Sequence, residues 1–148
     1  MEKILIALFL GMILTGCNNK SIIYFYSPDK SQCVTLIDEG KFRYIANGKI
    51  NGLPKENYVK LFSENVPVFG DAFYICWKNT KYEWDIVIEH YEILESKLDS
   101  TKFRFNTSLP SDERGIPTPL KYSKNGCAEY SLELKKFFHS NGTTAINE

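Results

Sequence analysis

Tyr82-Glu83-Trp84-Asp85-Ile86-Val87-Ile88-Glu89 decides the fold: Tyr82, Trp84, Ile86 and Ile88 alternate with Glu83, Asp85, Val87 and Glu89. Side chains of an extended chain point to opposite faces in turn, so this period of two predicts a half-buried strand. The pattern recurs on either side. Phe103, Phe105 and Thr107 alternate with Lys102, Arg104 and Asn106, and Tyr130, Leu132 and Leu134 alternate with Ser131, Glu133 and Lys135. Segments 21–26 and 72–77 are apolar on both faces and read as more central strands.

Turn residues separate these runs. Asp38-Glu39-Gly40 reads as a three-residue hairpin loop between 33–37 and 42–46, and Lys78-Asn79-Thr80 as the turn joining Trp77 to Lys81. Asn47-Gly48 and Asn51-Gly52-Leu53-Pro54 close the segment after 46. About seven to nine short strands at spacings of roughly ten residues predict a mainly β protein, an antiparallel β-sandwich or a small barrel. Residues 90–98 stay open: Tyr91, Leu94 and Leu98 fit one short helix, whereas Tyr91 and Ile93 fit a strand. Residues 110–119 carry three prolines and no periodicity, and read as a stiff surface loop. Residues 140–148 read as a flexible tail. The expectation is a single β-rich domain over 21–139.

Composition narrows the function classes. Eighteen Lys and Arg balance eighteen Asp and Glu, so there is no basic excess to displace counterions, and nucleic acid is not an expected partner. Ten Phe and nine Tyr make the chain too apolar for intrinsic disorder.

The first residues address the chain. After Lys3, residues 4–14 form an uncharged run that as a helix would reach about 16 Å, half a bilayer core, which suits a secretory signal rather than a span. Leu14-Thr15-Gly16-Cys17 follows. This resembles the lipobox of bacterial lipoproteins. The resemblance covers the leader alone and implies a signal peptide over 1–16, cleavage after Gly16, and acylation of Cys17. Residues 17–20 are then the lipidated cysteine and a short tether, and the membrane is a partner through the lipid anchor. Asn18 is not the Asp that retains many such lipoproteins in the inner membrane, and no acidic run follows. By the family's conventions the address is the outer membrane, facing the periplasm.

Acylation of Cys17 leaves Cys33, Cys76 and Cys127 in an oxidising compartment, where three thiols permit one bridge. Cys33 and Cys127 each open a predicted strand and are the favoured pair, with Cys33–Cys76 as competitor. No C-x-x-C occurs and His90 and His139 lie far apart, so neither a metal nor a cofactor is expected. Phosphate-binding, zinc-protease, nucleophile-elbow and EF-hand spacings are absent. No catalytic residue is assigned.

The candidate binding surface is Tyr74, on the face of its strand opposite Phe73, Ile75 and Trp77, together with Asp112, Glu113 and Arg114 on the proline-rich loop. A solvated loop tip is the plainer reading of the last three. The acidic row Glu83, Asp85 and Glu89, continued by Glu92 and Glu95, is either a docking face or a solvent face neutralised by Lys102 and Arg104 from a neighbouring strand. These features lead to a non-catalytic, membrane-anchored envelope module that binds a protein or glycan. The alternatives are a periplasmic immunity-type inhibitor of a toxin, a small envelope hydrolase with His90 or His139 in a cleft, and a structural lipoprotein.

Overall fold

The computed structural model describes residues 20–64, 66, 71–77, 82–118 and 126–147. Cys17 with its leader, the Lys78-Asn79-Thr80 turn and Pro119 lie outside them. The described residues form eleven strands. These are β1 (Lys20–Tyr26), β2 (Cys33–Glu39), β3 (Phe42–Asn47), β4 (Tyr58–Phe62), β5 (Ala72–Trp77), β6 (Trp84–Ile88), β7 (Glu92–Ser96), β8 (Phe103–Asn106), β9 (Ala128–Ser131), β10 (Lys136–His139) and β11 (Thr144–Asn147). Sheet A has the order β11-β1-β2-β3-β4-β7 and sheet B the order β10-β9-β5-β6-β8. The architecture is a β-sandwich.

Local chemistry accounts for the hairpins. Glu39 pairs with Phe42, so β2 and β3 are joined by the two residues Gly40-Lys41 rather than by a three-residue loop. Gly40 takes φ +61°, the first-position conformation that matches strand twist in a tight hairpin. β9 stops at Ser131, and residues 132–135 turn rather than continue the alternation; Lys135 takes a positive φ and Leu134 is exposed. Residues 92–96 resolve as a strand and not a helix, because β7 leaves sheet B through Tyr91 and pairs with β4 at the far sheet's edge. The end of the chain is likewise not a flexible tail: 144–147 pair in register with β1. Sheet A is antiparallel throughout, whereas β6 and β8 are parallel neighbours in sheet B. The excursion through β7 supplies the crossover that a parallel pair requires.

The core lies between the sheets. Phe25, Leu36, Ile45 and Leu61 from sheet A meet Phe73, Ile75, Trp84, Ile86 and Tyr130 from sheet B. Trp84 stacks on Phe103 with centroids 4.8 Å apart, and its Nε1–H donates to Asn47 Oδ1 of the opposite sheet at 3.0 Å. Phe25 meets Phe73 at 4.8 Å and Tyr130 edge-on at 5.1 Å.

Arg43 occupies an inward position of β3, two residues before Ile45, where an apolar side chain is expected. Its guanidinium donates to Asp38 of β2, to Asp71 just before β5 and to the Tyr91 hydroxyl, while Tyr91 donates to Asp71 Oδ1 at 2.7 Å. Burial pulls the Arg43 pKa down, but Asp38, Tyr91 and Asp71 outweigh it and raise it overall; burial pushes the Tyr91 phenol up. Removing one member of such a set leaves uncompensated charge between the sheets. Arg43→Met should therefore lower unfolding free energy by about 3 kcal/mol in urea titrations, and Tyr91→Phe by about 1 kcal/mol. Equal, sub-kcal losses for both would show that the set is solvated.

Candidate functional site

The outward face of sheet B is built by alternation from β5, β6 and β9. Tyr74 and Cys76, Asp85 and Val87, and Glu129 all point away from the core. The register runs Tyr74 opposite Glu129 and Ile75 opposite Ala128. One step further along the ladder, Cys76 meets Cys127 with Cα atoms 4.3 Å apart, and these two form the disulfide. The favoured Cys33–Cys127 pairing is thus overturned. Cys33 opens β2 in the other sheet and remains a free thiol, its pKa pushed up by burial.

Tyr74 is on the face expected of it but is not exposed: 4% of its surface reaches solvent. Its hydroxyl donates to Glu129 Oε1 at 3.3 Å, and burial, with Glu129 beside it, pushes the phenol pKa up. Among the described residues, the chain after β8 contributes to the cover. Leu109 is buried in one cluster with Tyr74, Val87, Cys76 and Cys127. Asp85, 2% exposed, pairs with Arg104 of β8, which also lies 5.2 Å from the Tyr82 ring. The acidic row is therefore no continuous surface. Asp85 is buried and ion-paired, while Glu92 and Glu95 belong to sheet A.

Beyond Leu109 the chain folds into a small finger. Thr118 N–H donates to Pro110 O, Ser111 bridges Pro117, and Asp112 N–H donates to Ile116 O. Asp112 organises the tip. Oδ1 accepts the N–H groups of Arg114 and Ile116 at 2.9 and 3.0 Å, and Oδ2 accepts Arg114 Nε and Nη2 at 3.1 and 2.8 Å. The Arg114 guanidinium first, then the Ile116 N–H, hold the Asp112 carboxyl below its usual range. Gly115, at φ +79°, closes the turn. What reaches solvent is Glu113, the Arg114 side chain at 77% and Ile116 at 51%.

No family model, curated protein or solved structure matches the chain. The site is read from its own chemistry.

The fold does not unite Tyr74 with Asp112, Glu113 and Arg114. It places Tyr74 under the base of the segment whose tip carries the other three. Ile116 and Leu109 went unrecognised as site residues, although isolated apolar residues inside a polar, proline-rich stretch were the available signal. Among the described residues no group of three His, Cys, Asp or Glu could hold a metal. His90 and His139 are both exposed. His139 lies across the ladder from Glu129 without a hydrogen bond to it among the described residues, so it gains no oriented base. Burial, as the largest cause, pushes the Tyr74 and Tyr91 phenols above their ordinary pKa, and each donates to a carboxylate, Glu129 and Asp71 respectively.

Two tests follow from this geometry. The Cys76–Cys127 bridge closes a loop of 51 residues, which in the chain-entropy account stabilises by about 4 kcal/mol, so the double Ala variant should lose that much while Cys33→Ser loses little. The finger has its own pH dependence. Because the Asp112 pKa is depressed on folding, its contribution is complete above the ordinary value of 3.8 and fades as pH falls through the lower folded value. Amide exchange at Arg114 and Ile116 should accelerate about tenfold in Asp112→Ala at neutral pH, with the urea midpoint of global unfolding unchanged. Unchanged exchange in that variant would mean the carboxylate does not order the tip.

Proposed function

We propose that this chain is a lipid-anchored cell-envelope lipoprotein whose domain is a non-catalytic binding module, and that it engages a protein through the 110–118 finger. The observation that carries the reading is Asp112 accepting four hydrogen bonds from its own loop. The tip is ordered before any partner arrives, so little conformational entropy is lost on binding. Arg and an exposed aliphatic side chain on a rigid projection are what a protein pocket recognises. A glycan reader would instead offer ring faces, and the one ring assigned to this surface, Tyr74, is buried beneath Leu109. The Leu14-Thr15-Gly16-Cys17 motif supports the anchor and, with Asn18, the outer-membrane, periplasm-facing address.

A narrow, pre-ordered projection also suits insertion into an enzyme's cleft, which favours the immunity-type inhibitor as the specific form of this reading. The hydrolase alternative needs a histidine joined to a carboxylate, and two exposed histidines do not supply one.

Two measurements test the proposal separately. Cys17→Ser should abolish labelling by a fatty-acid probe and release the protein from the membrane fraction; continued labelling sinks the anchor. For the finger, a protein captured from detergent-solubilised envelopes by the wild type should be lost, with affinity reduced about thirtyfold or more, in Arg114→Glu/Ile116→Asp. Undiminished capture by that variant removes the finger from the interface.

A further inference from the structure

The outward face of sheet A carries rings and lysines; Tyr24, Ile37, Tyr44 and Tyr58 are buried there, with Ile50 of the 48–57 loop packed against the cluster, so what the face presents to solvent is chiefly its ammoniums. Register places Ile22 and Tyr24, Ile37, Phe42 and Tyr44, and Tyr58 and Phe62 on this face. Lysine ammoniums sit over the rings. Lys60 lies 4.2 Å from the Phe42 centroid, Lys41 is 5.6 Å from Phe42 and 5.9 Å from Phe62, Lys49 is 4.8 Å from Tyr24 and Lys97 is 5.5 Å from Tyr58. With Lys20 on β1, the described strands and turns of this face hold five lysines against Glu39, Glu92 and Glu95, Lys97 being ion-paired with Glu95 at 3.1 Å, and the 48–57 loop adds the cancelling pair Lys55 and Glu56. On the opposite outward face, of sheet B, the described residues show no basic excess: Asp85, Glu89 and Glu129 stand with Lys102, Arg104 and Lys136.

Three of these lysines lie toward one end, in the row that also carries Glu39 and Glu92, while Lys49 and Lys97 lie toward the other. Lys20 pairs with Glu39, Glu39 with Phe42 and Phe42 with Phe62, so Lys20, the Lys41 turn and neighbouring Lys60 cluster where β1 begins. Cys17 stands three residues before Lys20, at most about 11 Å along an extended chain. Two exposed aliphatic side chains flank the face: Ile146, opposite Tyr24 on β11, and Leu53 in the 48–57 loop, whose Ile50 N–H bonds to outward-facing Thr35.

We propose that this face of sheet A lies against an anionic bilayer. Ammoniums held over a flat sheet match phosphate headgroups, and Ile146 and Leu53 reach the headgroup–acyl boundary. The finger, on the sheet B side, then points away from the membrane. The inference rests on the sheet A face, with the nearness of Cys17 as added support, and its test depends neither on Cys17 acylation nor on the finger's partner.

The test is co-sedimentation of the full chain carrying Cys17→Ser with vesicles of phosphatidylcholine and with vesicles containing roughly 30% phosphatidylglycerol. A retained leader partitions into both alike and cancels in the ratio. We expect about tenfold tighter binding to the anionic vesicles at roughly 50 mM salt, collapsing toward equality at roughly 500 mM. Lys41→Glu/Lys60→Glu should erase that preference, while Lys102→Glu/Lys136→Glu leaves it intact. Near-UV circular dichroism reports whether the first variant folds, and Lys20→Glu/Lys49→Glu reads the same face should it not. Equal binding to both vesicles, or a preference that survives charge reversal, overturns the proposal.

Discussion

Burial of β6 on both faces is the constraint on which the rest of this structure depends. A strand whose inward side carries Trp84, Ile86 and Ile88 needs only one facing sheet, and sheet A provides it. The outward side carries Asp85 and Val87, which are as deeply buried. Among the described residues, the chain after β8 contributes to that cover, with Leu109 buried in the same cluster as Val87 and Tyr74. Two further ties hold that layer. The disulfide joins β5 to the residue before β9, and Arg104 neutralises Asp85 from the parallel strand alongside. A layer pinned by one leucine, one ion pair and one bridge can project a tip without letting it fray.

The balanced charge of the chain conceals three different uses of charge. Arg43 with Asp38 and Asp71 is buried between the sheets, where desolvation is severe and only multiple hydrogen bonds make the arrangement tolerable. Asp112 with Arg114 is exposed, so the pair adds little to global stability and instead shapes a loop. The lysines over the sheet A rings cover apolar surface with their stems while presenting their ammoniums. Identical residue types thus serve the core, a local turn and a surface, and burial decides among these roles.

The two proposals together orient the molecule. A tether entering at the Lys20 end, a basic ring-bearing sheet on that side and an ordered finger on the other describe a domain lying flat, with its recognition element turned outward. Each part rests on different atoms. The anchor concerns Cys17, the surface concerns lysine side chains, and the finger concerns one carboxylate.

Much of the fold was legible because strand burial writes itself into the sequence with period two. Segments 72–77 and 21–26 read directly as interior strands, and spacing and turns narrowed the class to a sandwich or small barrel, between which the two-sheet arrangement decided. The site was less legible. Period two identifies which side chains share a face but not what covers that face, so Tyr74 was correctly placed on the outward side of β5 and wrongly left exposed. Cysteine pairing failed for a related reason. It depends on which strands are neighbours, and Cys76 meets Cys127 only because β5 lies beside β9. The switch of β7 to the far sheet and the pairing of β11 with β1 are likewise long-range choices, invisible to local pattern. By itself, then, the sequence determined strand alternation, a mainly β class open between sandwich and small barrel, and roughly where the chain turns between β2 and β3, all of which are set within a few residues. Sheet order, the disulfide, the burial of Tyr74 and the presentation of the finger were decided by the tertiary structure, because each depends on contacts between segments that are distant along the chain.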